Sequence, residues 1–512
     1  MKIWNFLLNG MILSLAPSTI QIYSQGNQFQ PTDTGSSGSK DSRPNILLLV
    51  GETHSPILGC YGAPVKTPNL DKLASEGTRF QNAYVTQAGC SPSRASIFTG
   101  LYPHQHGQIG LATSPYSMYQ EHTPNFVNDL KKSGYRTGIV GKIHVNPESA
   151  FDFDMWEIHE GNRGRNDLES YTKYAEQFIK ASEQPFFLQI SYADAHVPFL
   201  RQVNGRPANP LNGKDVDVLP NIGITSDSLK QNTADYYNCI IRLDEYIGDL
   251  IVKLKESGKY ENTIIVYIGD HGEDIIRGKR TCYEGGLGIP FIISWPRLGK
   301  SSVGYNGLVS TIDLYPTFME ASGNPIPEYL PGKSLIPAIK GNKKPVREYL
   351  FAEYNVHSNQ NPYPQRTVRD SKYKLIYNLC PGYTNPGFDY TLGHIIDRQD
   401  FEAALKLAPK HIIESYAAMK NPPEFELYDL TKDPSEWDNL AYEPDFATIL
   451  EKYKKVIVDW QKETDDPFIE KKIAERFFLE VMGTKGKGIE LKYHDYMDPR
   501  MVFKQSDKAV IR

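Results

Sequence analysis

Four strand-length apolar runs each end in charged or imidazole residues, and this recurrence constrains the chain more than any other feature. Asn45 to Val50 is followed by Glu52, Thr53 and His54, and Thr137 to Val140 by Lys142 and His144. Pro185 to Ser191 leads to Asp194 and His196, and Thr263 to Ile268 to Asp270 and His271. Runs without polar alternation fit strands buried on both faces. Segments of helical apolar spacing separate them: one from about Thr67, with Pro68 in its first turn and Gly77 as the stop, one over Pro124 to Ser133 ending at Gly134, and a long one from about Thr233 to Ser257. Arg79 to Tyr84 reads as a further strand. The alternation predicts an α/β fold with a large, mostly parallel sheet flanked by helices on both faces and joined by right-handed crossovers. Polar residues at the carboxyl ends of such strands lie where open sheets bind ligands.

The 512 residues exceed one ordinary core. We assign residues 44–347 to the main α/β domain and residues 348–482 to a smaller C-terminal α+β subdomain with a short antiparallel sheet. Its strands are expected at Tyr349 to Tyr354, Arg366 to Arg369, Tyr373 to Tyr377 and Glu426 to Leu430, separated by Asn-, Pro- and Gly-rich loops. Helical periodicity follows near Ala447 to Lys462, and residues 483–512 form a Lys-rich tail. No internal repeat is apparent.

The first 25 residues read as a signal peptide. Lys2 precedes an apolar run from Ile3 to Leu15, too short to span a bilayer of about 30 Å, and small and polar residues follow. Residues 26–43, rich in Gln, Gly, Ser, Thr and Asp, form a flexible leader. The chain is therefore expected to be exported, periplasmic or secreted, with no membrane span. A net charge of -5 from 56 basic and 61 acidic residues, mixed along the sequence, argues against a nucleic-acid partner. Five cysteines, at 60, 90, 239, 282 and 380, are an odd number for an exported chain, and none are spaced for zinc.

One cysteine stands in a distinctive segment, Cys90-Ser91-Pro92-Ser93-Arg94-Ala95-Ser96-Ile97-Phe98-Thr99-Gly100, at what reads as a helix start. A helix N-terminus stabilises anions and lowers a thiol's pKa, so the pair Cys90 and Arg94 points to an anionic substrate. Taken alone, the pair fits equally well a buried cysteine in a tight turn with Arg94 in a surface ion pair.

The wider pattern resembles the type I sulfatase family, in which the cysteine of Cys-x-Pro-x-Arg is oxidised to formylglycine. Thr67-Pro68-Asn69-Leu70-Asp71, Lys279-Arg280-Thr281-Cys282-Tyr283-Glu284-Gly285-Gly286, Thr311 to Thr317 and Glu426 to Leu430 are similar to further landmarks of the family. Together they cover about residues 44 to 440. Cys90 to Gly107 and Lys142-Ile143-His144 look most like the sulfamidase branch, which is similar to bacterial sulfatases acting on polysaccharides such as ulvan. The resemblance implies a sulfuric ester hydrolase, with sulfamidase activity as a variant, acting on sulfated oligo- or polysaccharides such as ulvan or heparan sulfate. It also implies a formylglycine-generating or maturase partner enzyme. Hydrated formylglycine at Cys90 would attack sulfur. Arg94, Lys142 and Lys279 would hold the nucleophile and the sulfate oxygens. His144 would serve as base, and His196, alone or with Lys279, would protonate the leaving atom. His357 and Arg366, in the C-terminal region, are candidates for contacting the sugar.

The family's metal pattern, two adjacent aspartates after the first strand and Asp-Asn or Asp-His after a later one, implies Ca2+ or another divalent ion. Here Asp270 and His271 match the second pair, and Cys90 joins the shell, but Glu52 and Thr53 stand where the first pair is expected. Glu52 still offers a carboxylate, whereas Thr53 offers a neutral hydroxyl, so the shell is one negative charge short. His54 is either an added ligand or a support behind the ligands. Two other readings compete: a phosphoesterase of the same superfamily, against which the Cys-x-Pro-x-Arg signature argues, and a catalytically silent relative that binds sulfated glycans, suggested by the Glu52-Thr53 departure.

Overall fold

The strand-length runs form the centre of an eight-stranded sheet ordered β4-β3-β5-β1-β6-β7-β2-β8. The strands are β1 Asn45–Gly51, β2 Thr78–Tyr84, β3 Arg136–Gly141, β4 Met155–Glu157, β5 Phe186–Ser191, β6 Thr263–Gly269, β7 Phe291–Ser294 and β8 Val303–Ser310. The computed structural model describes residues 42–114, 116–159, 167–299, 303–394 and 396–483. The signal peptide, the leader up to residue 41 and the tail from residue 484 lie outside the described residues. β1 runs parallel to β5 on one side and to β6 on the other, and every residue of all three is buried. That burial is why these runs carry no polar alternation. β7 alone runs antiparallel to both of its neighbours, β6 and β2, so the sheet is mostly parallel, as expected.

Helices α1 Pro68–Ser75, α2 Cys90–Thr99, α3 Phe126–Lys132, α4 Glu169–Ala181, α5 Asp227–Glu256 and α6 Leu314–Ala321 flank this sheet. α5 starts at Asp227 rather than near Thr233 because Ser226 caps it, its side chain accepting a hydrogen bond from the Leu229 N–H. α2 is unusual in being buried at all ten positions.

From Leu350 the chain forms a second, antiparallel sheet ordered β12-β11-β10-β9, from β9 Leu350–Tyr354, β10 Gln365–Arg369, β11 Tyr373–Asn378 and β12 Phe425–Asp429. Three helices that the sequence reading took for loops, α7 Pro386–His394, α8 Arg398–Lys406 and α9 Lys410–Lys420, lie between β11 and β12. α10 Ala447–Glu463 covers one face through Tyr453 and Ile457, which pack on Val368, Leu375 and Leu427. α11 Lys471–Gly483 follows, where no helix was expected. Leu350, Ala352, Tyr354 and Tyr428 join the main core, so the small sheet shares its interior with the large one. Among the described residues no helix is long and apolar enough to cross a membrane. All five cysteines are free thiols.

Candidate active site

The carboxyl ends of β1, β3, β5 and β6 converge on the first turn of α2. Cys90 is its first residue, behind the extended Gly89. The Cys90 Sγ lies 3.3 Å from His271 Nε2 and 3.5 Å from Glu52 Oε1, and His144 hydrogen-bonds it as well. His144 Nδ1 has no partner, so that contact runs through Nε2. Close approach of two strand ends allows this geometry. Gly141, at φ 103°, ends β3 where an added Cβ would lie 2.2 Å from the Ser191 carbonyl oxygen, a position that only glycine fills.

Arg94, one turn along α2, ties the first and sixth strands together. Its Nη2 sits 3.0 Å from Glu52 Oε2 and 3.0 Å from Asp270 Oδ2, and its Nη1 donates to Ser191 Oγ at 3.1 Å. Lys142 Nζ donates to Glu52 Oε1. His196 Nδ1 donates to the Val197 carbonyl at 2.7 Å, which leaves Nε2 4.0 Å from Glu52 Oε1. His271 Nδ1 likewise donates to the Gly272 carbonyl at 2.8 Å and turns Nε2 to the sulfur. The structure thus brings together Glu52, Cys90, Arg94, Lys142, His144, His196, Asp270 and His271 as expected.

Lys279 completes the group from the loop after β6, with its Nζ 3.2 Å from Asp274 Oδ2. Arg280 bonds the other oxygen of the same carboxylate. Neither Asp274 nor Arg280 was anticipated as a site residue. Four fixed cations, Arg94, Lys142, Lys279 and Arg280, therefore share three carboxylates, Glu52, Asp270 and Asp274, and the surplus of positive charge suits an anionic substrate. Burial opposes ionisation of the Cys90 thiol, yet Lys279, Lys142 and His271 hold it well below its usual pKa. Burial and then Lys142 push His144 down, and burial pushes His196 down against the pull of Glu52, so both imidazoles favour the neutral form.

Two strand-end residues serve the scaffold instead. Asp194 makes two 2.7 Å bonds to Arg242 of α5. His54 gives Nδ1 to the Tyr267 hydroxyl, and burial lowers its pKa to about 3. The C-terminal candidates separate. His357 is buried, with Nδ1 unpartnered; burial, Lys279 and Arg280 hold its pKa well below normal. Arg366 is a correction: it is fully buried and donates to both oxygens of Asp466, at 2.6 and 2.8 Å, and to Asn355 Oδ1 at 2.9 Å, so it holds the fold rather than facing a sugar.

The donor atoms of Cys90, Asp270 and His271 lie within 4.8 Å of one another, as do those of Glu52, Cys90 and His196. The hydroxyl of Thr53 is buried without a partner, while the Thr53 N–H donates to Asp270 Oδ1 at 2.7 Å. The carboxylate and imidazole of the first group, the Glu52 carboxylate of the second, and an unused hydroxyl on the residue whose N–H bonds Asp270 are donors that fit a divalent cation held with fewer charges than a site rich in aspartate.

The sulfatase family profile matches residues 44–324, and the C-terminal profile of N-sulphoglucosamine sulphohydrolase matches residues 270–382. The chain is 32% identical to an ulvan-active sulfatase of Formosa agariphila over 457 residues, covering 86% of this chain and 84% of the relative. It is 29% identical to human N-sulphoglucosamine sulphohydrolase, covering 84% and 92%. A protein solved in complex with its substrate D-glucosamine-2-N,6-O-disulfate shares the fold, with a TM-score of 0.62 at 21% identity over 83% of this chain and 98% of the other.

Proposed function

The chain belongs to the sulfatase family and is a sulfuric ester hydrolase, and on that premise we propose that it releases sulfate from a sulfated polysaccharide through formylglycine made from Cys90. One observation carries the reading: the first side chain of the buried helix α2 lies among Lys142, His144, Lys279 and His271. Its Sγ marks where the hydroxyls of a hydrated aldehyde would sit. One hydroxyl attacks sulfur as its proton passes to Glu52, whose Oε1 lies 3.5 Å from the Cys90 Sγ. The bond from sulfur to the sugar oxygen breaks, and a proton from the Lys279 ammonium, relayed by His196 Nε2, reaches that oxygen. His144 then removes the proton of the second hydroxyl, the carbon–oxygen bond to sulfate breaks, and the aldehyde re-forms and takes up water. Arg94, Lys142 and Lys279 stay fixed throughout, so the charge that spreads over the sulfate oxygens meets cations already in place.

Glu52, Asp270 and His271, with Thr53 beside them, would hold a Ca2+ ion or a similar divalent cation, which when bound supplies further positive charge to the sulfate oxygens. His357, buried beside Lys279 and Arg280, would contact the sugar. The apolar run Ile3 to Leu15 supports export, and a maturase would act on Cys90. The relatives named for ulvan and for N-sulphoglucosamine support a glycan substrate bearing O- or N-sulfate.

The test is sulfate release from a panel of defined saccharides running from heparan N-sulfate fragments to ulvan oligomers. Turnover of at least one class is expected, and hydrolysis of phosphate monoesters alone would overturn the proposal.

A further inference from the structure

Two groups of three metal donors form among the described residues, Cys90 with Asp270 and His271 and Cys90 with Glu52 and His196, and the sulfur is the member that both contain. Calcium makes little use of sulfur, since it takes hard oxygen ligands. We propose that the chain whose Cys90 has not been converted holds a zinc-class divalent cation between Cys90, Asp270 and His271. The inference rests on the reading above only in taking Cys90 as the precursor of formylglycine.

The three donor atoms stand as corners of a tetrahedron. Cys90 Sγ lies 3.3 Å from His271 Nε2, His271 Nε2 lies 3.7 Å from Asp270 Oδ1, and the donors of all three residues fall within 4.8 Å of one another. Around zinc, with bonds of about 2.3 Å to sulfur and about 2.0–2.2 Å to nitrogen and oxygen, neighbouring ligands stand about 3.4–3.6 Å apart. The two spacings therefore close on an ion with shifts of a few tenths of an ångström. Each donor is also turned the right way. His271 gives Nδ1 to the Gly272 carbonyl at 2.8 Å, which points the lone pair of Nε2 at the sulfur, as in metal-bound imidazoles held by a carbonyl behind them. Arg94 occupies Asp270 Oδ2, while Oδ1 accepts the Thr53 N–H and keeps a second lone pair. The fourth position is left to water or to Glu52 Oε1, which is 3.5 Å from the sulfur.

The charge count favours the same ion. On binding, the Cys90 S–H bond breaks, its proton leaves to solvent, and a bond from zinc to sulfur forms. The thiolate and Asp270 then bring two negative charges to a doubly charged ion, so the sulfur provides the charge that Thr53 withholds from a hard-ion shell. Conversion to the aldehyde hydrate removes that charge and the soft ligand together, which leaves the site to ions that prefer oxygen. Cys90 is only 1% exposed in the folded chain. A copy that folds unconverted thus presents its sulfur to an ion small enough to enter rather than to a maturase, and zinc keeps it in the thiolate state.

The test uses the whole chain expressed without a maturase, its thiol at position 90 verified by peptide mass and its metals removed with a chelator. Titration with Co2+ should give the near-ultraviolet absorption of a cobalt–thiolate bond, saturating at one equivalent, and Zn2+ should abolish the band where Ca2+ in excess does not. Cys90→Ser should lose the band and bind Zn2+ about 100-fold more weakly. Cys60→Ser, which removes the half-buried thiol near Asp71, should retain both. If Cys90→Ser does not unfold cooperatively, the formylglycine-bearing protein makes the same comparison, since it lacks the sulfur without any substitution. No band in the unconverted chain, or an equal band in Cys90→Ser or in the converted protein, overturns the zinc site. Sulfate release by the converted protein is read separately, so either result leaves the sulfatase reading to its own test.

Discussion

Arg94 Nη2 lies 3.0 Å from Glu52 Oε2, so the residue that departs from the family's aspartate pair is bound directly to the helix that carries the nucleophile. Glu52 also receives Lys142 and faces His196 and Cys90. The charge missing from the pair is at Thr53.

Thr53→Asp tests that shortfall. Thr53 has φ 55°, a conformation that Asp adopts more readily than a β-branched residue, and its hydroxyl has no partner. The added carboxylate stands beside Asp270, so without metal the variant should be less stable than wild type, by repulsion of like charges. With Ca2+ the order should reverse and the shift in Tm on adding Ca2+ should grow. Glu52→Ala should abolish the shift. A Ca2+ response in Glu52→Ala equal to that of wild type would place the ligands elsewhere.

His144→Ala should attack substrate but fail to release sulfate, because the second hydroxyl loses its base. The variant should accumulate protein carrying sulfate on residue 90, visible as added mass after a single turnover. Since burial and Lys142 lower the pKa of His144, the acid limb of kcat in wild type should lie below pH 6.5. Normal turnover in the variant would make the histidine structural.

Asp274 holds Lys279 and Arg280 apart, and all three are buried. Asp274→Asn leaves two buried cations sharing a neutral amide, at a cost of about 3–5 kcal/mol in stability, and should lower kcat by moving Lys279. Although burial opposes it, Arg280 and Lys279 hold the carboxyl pKa well below its usual 3.8. The stability it contributes is therefore present above pH 3.8 and lost as the pH falls below that value. Urea unfolding across pH should show the gap between wild type and variant closing in acid, and a gap independent of pH would contradict the assignment.

Asp244 titrates in the opposite sense. Burial raises its pKa to about 6, against the N–H groups of Leu70 and Asn69 that it accepts at the start of α1. Its native pKa exceeds the unfolded value, so its contribution is fully present below about pH 4 and declines as the pH rises through 6, by about 3 kcal/mol in all. Asp244→Asn should flatten that decline in a pH series of unfolding free energies while lowering stability in acid, where one acceptor of Asn69 is lost, so the gap to wild type narrows as the pH rises through 6. A decline as steep in the variant as in wild type would assign the titration to another group.

The central strands were legible because β1, β5 and β6 are buried on both faces and carry that burial as unbroken apolar runs. Their termini were legible for the same reason, since polarity resumes where the sheet ends, and this located Glu52, Asp270, His271 and His196. β7, four residues long, and the three-residue β4 offer too little periodicity to read. Helices α7 to α9 occupy a stretch whose Pro, Gly and Asn residues suggested loops. Arg366 was misread because its partner, Asp466, is 100 residues away, and a lone arginine on a strand says nothing of what it faces. Asp274 went unnoticed because only the fold of the loop after β6 brings its carboxylate between two neighbouring cations.

The central claim is that residue 90 acts as an aldehyde hydrate, and mass spectrometry of the tryptic peptide spanning Phe80 to Arg94, taken from a preparation of measured sulfatase turnover, tests it most directly. The account predicts that the fraction of peptide carrying formylglycine at position 90 rises in proportion to specific activity when a maturase is co-expressed, and that Cys90→Ala is inactive. Full turnover by a preparation in which that peptide carries only the cysteine thiol would contradict it.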